Sequence, residues 1–184
     1  INVTSFDTIL FSTTPGANTV RNYYRETSYN QLDIVSVTLP SAIGWRTAPQ
    51  LRSYYANNLY CLGTASFPFS YPNNCQRLVE DLVWAVNPVV DFSQYDNNGD
   101  GWVDTLVVIH AGRGAEVTGQ PSDIWSHQWS TRVPPLVDGV RVGNYTMQPE
   151  YLYSPGDLTI GTLVHELGHA FGLPDLYDID YSSY

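Results

Sequence analysis

The run LVHELGHAFGLPDLYD, residues 163–178, restricts the fold of this chain more than any other stretch. On a helix, His165 and His169 are four residues apart and project from one face, where their imidazole nitrogens can reach a common ion about 2.0–2.1 Å away. Glu166 stands beside the first histidine and is offset from it around the helix. Its carboxylate therefore reaches a water at that ion without ligating the ion, which is the placement a general base requires. The segment must be helical, with one face open to a ligand, and the spacing implies a zinc site.

Zinc of this type takes a third protein ligand and leaves a fourth position for water. Gly168, in the middle of the helix, costs around 1 kcal/mol relative to alanine and points to a close approach by a neighbouring strand. Gly172 can take positive φ and reverse the chain, so that Leu173-Pro174-Asp175 returns beneath the two histidines. Asp175 is the expected third ligand. Asp178 and Asp180 compete with it, although each also reads as a solvated turn carboxylate. With those roles filled, zinc acidifies a water and polarises a scissile carbonyl, while Glu166 takes the proton and passes it to the leaving amine. The expected activity is peptide-bond hydrolysis on a protein or peptide substrate bound extended along an edge strand. Among the tyrosines near the motif, Tyr151, Tyr153 and Tyr177 could each donate to an oxyanion. A rival reading from another class is a non-catalytic calcium- and zinc-stabilised module that binds protein or polysaccharide; the intact Glu166 argues against it.

A second constellation is DNNGDGWVD, residues 96–104. It places side-chain oxygens at Asp96, Asn98 and Asp100, a glycine at 101 for a sharp turn, a backbone carbonyl at Trp102 and a further carboxylate at Asp104. Alternate oxygens at that spacing wrap a calcium ion. The twelfth position is Val107 where an EF-hand needs a bidentate glutamate, so the expected calcium is structural rather than signalling.

A net charge of −10 over 184 residues, with every basic residue an arginine, repels phosphate backbones, so nucleic acid is not an expected partner. No apolar run approaches bilayer-spanning length, and no membrane partner is expected. The opening INVTSFDT has neither a charged n-region nor an apolar h-region; the chain reads as a mature or excised piece from which any export signal has been removed. Cys61 and Cys75 flank a loop whose closure by a disulfide would contribute roughly 3 kcal/mol.

A capping Asn18 and helical spacing predict a short helix over 18–28, and the alternation LDIVSVTL predicts a strand over 32–39. A second helix is expected around 48–56. Leu78, Val79, Leu82, Val83 and Val86 form one apolar stripe over 74–86, which predicts a helix packed on a sheet. Residues 102–110 read as a mostly buried strand. Residues 132–137 and 140–146 form a hairpin turning at Asp138-Gly139, and the last helix is expected from Asp157, as N-cap, to Phe171. His110 and His127 read as structural histidines. Helices interleaved with strands make a single α/β or α+β domain over 1–184.

Taken together, these residues resemble the catalytic domain of the M6 peptidases, the immune inhibitor A family of secreted bacterial zinc proteases. The resemblance rests on HELGHAFGLPD (165–175), VRNYYRETSYNQLDI (20–34), YDNNGDGWVDTLVVIHAG (95–112) and IWSH (124–127). It implies a zincin-like fold with a twisted mixed sheet, backing helices and an active-site helix carrying the HExxH residues. It implies zinc on His165, His169 and Asp175, Glu166 as base, calcium at the acidic loop, and synthesis as a secreted zymogen with an extracellular destination. Proteases of this kind continue past the third ligand into a lower subdomain with a methionine turn. Met147, the only methionine, precedes the helix and is on the wrong side for that part. A companion chain or C-terminal subdomain is therefore expected to complete the cleft.

Overall fold

The computed structural model describes residues 2–64, 66 and 69–175. They form a mixed α/β fold around a small mixed sheet. Strand β1 (Leu106–His110) runs parallel to β5 (Asn144–Pro149), and β5 pairs antiparallel with β2 (His127–Ser130), so that β5 is central. Val108, Met147 and His127 stand side by side across the three strands. Between β2 and β5 lies the predicted hairpin, β3 (Leu136–Val137) and β4 (Val140–Arg141), turning on Asp138 and Gly139, both at positive φ.

Because side chains alternate across a sheet, the two faces feed two separate cores. One gathers Val108, Tyr145 and Met147 with Leu78, Val79 and Val83 of the long helix Cys75–Val86. That helix is the predicted apolar stripe, and the Asn74 side chain caps it by accepting the Arg77 amide. The other core takes Val107 and Ile109 from the opposite face. It packs them against Phe6 and Leu10 of a helix at Thr4–Phe11, Val20 and Tyr24 of a helix at Val20–Thr27, and Ile160, Leu163 and Leu167 of a helix at Ile160–Ala170. We number the helices α1 (Thr4–Phe11), α2 (Val20–Thr27), α3 (Pro40–Ile43), α4 (Arg52–Ala56), α5 (Cys75–Val86), α6 (Ala115–Thr118) and α7 (Ile160–Ala170). Cys61 and Cys75 are joined in a disulfide inside the first core.

Several local expectations change. The N-cap of α2 is Thr19, which accepts the Asn22 amide, and not Asn18. Residues 32–39 alternate between half-buried and exposed as a strand would, yet pair with no strand among the described residues; Leu32 and Ile34 simply lie against the second core. Strand β1 begins at Leu106 rather than at residue 102, because Trp102 is engaged in an isolated bridge to Arg141. Helix α7 starts at Ile160: the Asp157 carboxylate accepts the amides of Leu152, Tyr153 and Ser154 and closes the preceding loop instead of capping the helix.

Candidate metal centre

Helix α7 buries Leu163 and Leu167 completely in the second core, which turns His165 and His169 toward the open side. Tyr24 of α2 fixes its roll: the phenol donates to the Val164 carbonyl at 2.7 Å, and the ring meets Phe171 edge-on. The helix ends in a Schellman motif. Gly172, at φ +85°, donates to His169 O at 2.9 Å, and Leu173 N–H donates to Gly168 O at 3.0 Å. The reversal brings Leu173 back to the helix, where its carbonyl accepts from His169 Nδ1 at 2.9 Å. A Cβ added at Gly168 would touch Leu173 and Tyr24 OH at 3.6 and 3.7 Å; the close neighbours are the returning loop and α2, not a strand.

Two residues further on, Asp175 Oδ1 lies 3.3 Å from His165 Nε2 and 3.1 Å from His169 Nε2, and the two Nε2 atoms are 3.1 Å apart. A tetrahedral zinc with ligands at about 2.0–2.1 Å requires ligand edges of about 3.3 Å, close to this triangle. The hydrogen bonding agrees. With His169 Nδ1 donating to Leu173 O, the neutral ring presents a lone pair at Nε2, and the Asp175 Oδ1 that faces it is buried with no hydrogen-bond donor. A lone pair at His169 Nε2 facing this unpartnered carboxylate oxygen is accommodated by a cation between them, so the residues fit a divalent metal.

Glu166 is buried against β2, over which α7 packs together with β5. One of its carboxylate oxygens and a ring nitrogen of each histidine lie within 4.8 Å of one another. Burial pushes its pKa up to about 7, against the opposing pull of His169 and the Gln128 backbone amide. The Gln128 amide, the Leu173 carbonyl and the Tyr24 hydroxyl carry no sequence signal; each acquires its role from a contact made by the fold.

The extended match of the whole chain decides which family builds such a site. A family model for the immune inhibitor A peptidase M6 catalytic domain matches residues 5–184. The chain belongs to that family. It is 31% identical over 189 residues to immune inhibitor A of Bacillus thuringiensis subsp. alesti, covering 90% of this chain and 26% of that protein. It is 29% identical over 187 residues to the pre-pro-metalloprotease PrtV of Vibrio cholerae serotype O1 (strain M66-2), covering 89% of this chain and 19% of that protein. The chain thus spans about a quarter or less of the length of these curated relatives.

The other candidates of this M6 domain lie elsewhere. In the acidic loop, Asp96 accepts the amides of Asp100 and Gly101, and Asn98 accepts the Asp100 amide. Asp100 accepts the Trp102 amide and the Asn98 side chain, and Asp104 accepts the Asn97 side chain. These oxygens curl the loop through its own N–H groups. His127 bonds through both ring nitrogens, to Trp125 O and Tyr145 OH, and burial lowers its pKa to about 4. It is structural, as expected. His110 bonds to Ala111 O through Nδ1, and burial lowers its pKa as well. Tyr153 is largely exposed, and its carbonyl accepts from Arg113. Met147 lies in the first core. Tyr177, Asp178 and Asp180 fall outside the described residues. No helix among the described residues is long and apolar enough to cross a membrane.

Proposed function

We propose that this chain forms the zincin-like catalytic domain of a secreted zinc metalloendopeptidase. The observation that carries the reading is the triangle of His165 Nε2, His169 Nε2 and Asp175 Oδ1, with buried Glu166 beside it. These three side chains would hold zinc. Bound there, the metal supplies Lewis acidity that polarises a carbonyl and acidifies a water. Glu166, buried beside the two histidines, accepts the water proton and delivers it to the leaving amine. The edge of β2 stands beside α7 and can align an extended peptide by main-chain pairing. The Cys61–Cys75 disulfide supports an oxidising, extracellular setting. The pre-pro designation of PrtV supports synthesis as a zymogen.

The test uses the full-length protein. Zinc should bind one per chain by elemental analysis, chelation should abolish protein cleavage, and Glu166→Gln should keep the zinc while lowering kcat about 10²- to 10⁴-fold. A Glu166→Gln protein that cleaves at the wild-type rate sinks the reading; zinc retention with no cleavage by the wild type would favour the binding-module alternative. Calcium at Asp96, Asn98, Asp100, Asp104 and the Trp102 carbonyl is a separate proposal, supported by the curled backbone that Asp96 holds from within. It predicts a lower melting temperature in EGTA, and an unchanged one removes it.

A further inference from the structure

The outer edge of β2, assigned above to substrate, is open only in part. Thr131 N–H donates to Gly143 O across the ladder, so Thr131 and, by alternation, Trp129 and His127 turn their backbone groups toward β5. Ser126, Gln128, Ser130 and Arg132 therefore turn theirs outward, where an added strand would pair. Side chains of three helices already meet several of these groups. The Ser126 amide donates to Glu116 of α6, and the Gln128 amide to Glu166 of α7. Gln76, in the first turn of α5, donates from Nε2 to the Ser130 carbonyl at 2.7 Å. One turn further on, Glu80 accepts the Arg132 and Val133 amides at 2.8 and 2.7 Å. Among the described residues, that leaves the Gln128 carbonyl and the amide of exposed Ser130 for an added strand.

The Gln76 contact is held from behind. Gln76 is 5% exposed, and its Oε1 accepts from Asn74 Nδ2 at 3.2 Å. Asn74 is wholly buried; it caps α5 through the Arg77 amide and donates to the Phe69 carbonyl at 2.9 Å. Cys75, between the two, is tied to Cys61 by the disulfide. A donor fixed in this way takes the place on Ser130 O that the N–H of an added strand would occupy. An added strand can accept the Ser130 amide, but it finds the Ser130 carbonyl filled and the next amides bound to Glu80.

We propose that Gln76 ends the substrate ladder, so that the peptide residue facing Ser130 occupies the last main-chain subsite on that side of the cleft and binds through its C=O alone. The proposal rests on the reading of the β2 edge as the substrate-aligning strand. The peptide runs antiparallel to β2, the stronger of the two pairings, in which one residue faces Gln128 and the residue two positions toward the peptide's N-terminus faces Ser130. The first donates its N–H to Gln128 O. The second has no acceptor for its N–H, so a proline, an N-methyl group or a blocked N-terminus is tolerated there, and residues further along gain nothing by pairing with β2. Gln76 acts through the Ser130 carbonyl and is a positioning residue that sets specificity.

The test is an N-methyl scan of a fluorescein-labelled peptide spanning a site that the full-length wild type cleaves in β-casein. Affinity is read by fluorescence polarisation on the full-length, zinc-loaded Glu166→Gln protein, so that turnover does not enter. At the residue facing Gln128, N-methylation should weaken binding about 5-fold, the loss of one main-chain hydrogen bond. Two residues toward the peptide's N-terminus it should cost less than about 2-fold while Gln76 is present, and about 5-fold once Gln76→Ala is added and Ser130 O is free to accept. A purely structural role for Gln76 would not change sensitivity at one peptide position. A loss at that position with Gln76 intact, equal to the loss at the residue facing Gln128, overturns the proposal, and this arm holds even where Gln76→Ala fails to fold. Insensitivity of that position in a folded Gln76→Ala protein overturns it as well. In both of those outcomes the peptidase reading stands; a wild type that cleaves no protein ends both together.

Discussion

Glu166 and His127 are buried on opposite faces of the β2 and β5 region, and burial favours the neutral form of each, so their pKa values move in opposite senses. For His127 the folded value of about 4 lies below the usual histidine value of 6.5, so the unfolded chain binds more protons between those limits. Stability contributed by the buried neutral ring is present above about pH 6.5 and is lost as pH falls toward 4, by up to about 3 kcal/mol. Glu166 does the reverse in the metal-free protein. Its folded pKa of about 7 exceeds the model-peptide value, so stability falls as pH rises from about 4.5 to 7. The two slopes oppose each other. Denaturant midpoints of the zinc-stripped protein should therefore vary less with pH than those of Glu166→Gln, which should rise steadily from pH 4 to 6.5; parallel profiles for the two would contradict this account. At the proposed zinc site, Asp175→Ala should lower zinc affinity by removing one of the three proposed ligands while leaving the fold intact, as read by competition with a chromogenic chelator and by circular dichroism.

At the scale of elements, the end of α7 couples a backbone conformation to the ligand set. Gly172 at φ +85° allows the reversal that places both the Leu173 carbonyl on His169 and Asp175 on the Nε2 pair. Gly172→Ala should cost roughly 1–2 kcal/mol in stability and should weaken zinc binding as well, because the strain is relieved by moving the Asp175 turn. Tyr24→Phe, which removes the phenol from Val164 O, should cost about 1 kcal/mol with little effect on zinc, since Gly172 and Asp175 are untouched. These are local features, and the sequence displayed them: the histidine spacing, the glycine stop and the aspartate return lie within eleven residues. What stayed hidden depends on partners distant in the chain. Alternation over 32–39 reports one-sided burial, and a segment can achieve that by lying on a core without any ladder. Helix α1 has no clear signal in the sequence because Phe6 and Leu10 acquire meaning only when α2 and α7 supply the rest of their core. Asp157 looked like a cap because an Asp before an apolar run satisfies orphan amides, and it does so, but in the loop at residues 152–154.

At the scale of the whole molecule, the sheet divides the stabilising contacts into two cores that answer to different perturbations. Strand β5 is shared, sending Tyr145 and Met147 to one side and Thr146 and Gln148 to the other, all fully buried. The metal helix belongs to the core of α1 and α2, whereas the disulfide belongs to the core of α4 and α5. Both cysteines are wholly buried, and the Cys75 amide donates to Cys61 O at 2.7 Å, so the bridge joins the end of the α4 region to the first turn of α5. Its cross-link restricts the unfolded chain far more than it shapes the metal centre. A Cys61→Ala/Cys75→Ala double variant should therefore lose roughly 3 kcal/mol of unfolding free energy. It should bind zinc at an unchanged stoichiometry and affinity when measured well below its melting temperature. Denaturant titration gives the first quantity and chelator competition the second. A variant that loses zinc affinity in proportion to its lost stability would show that the two cores act as one unit, and that the sheet transmits strain from α5 to α7 instead of separating them.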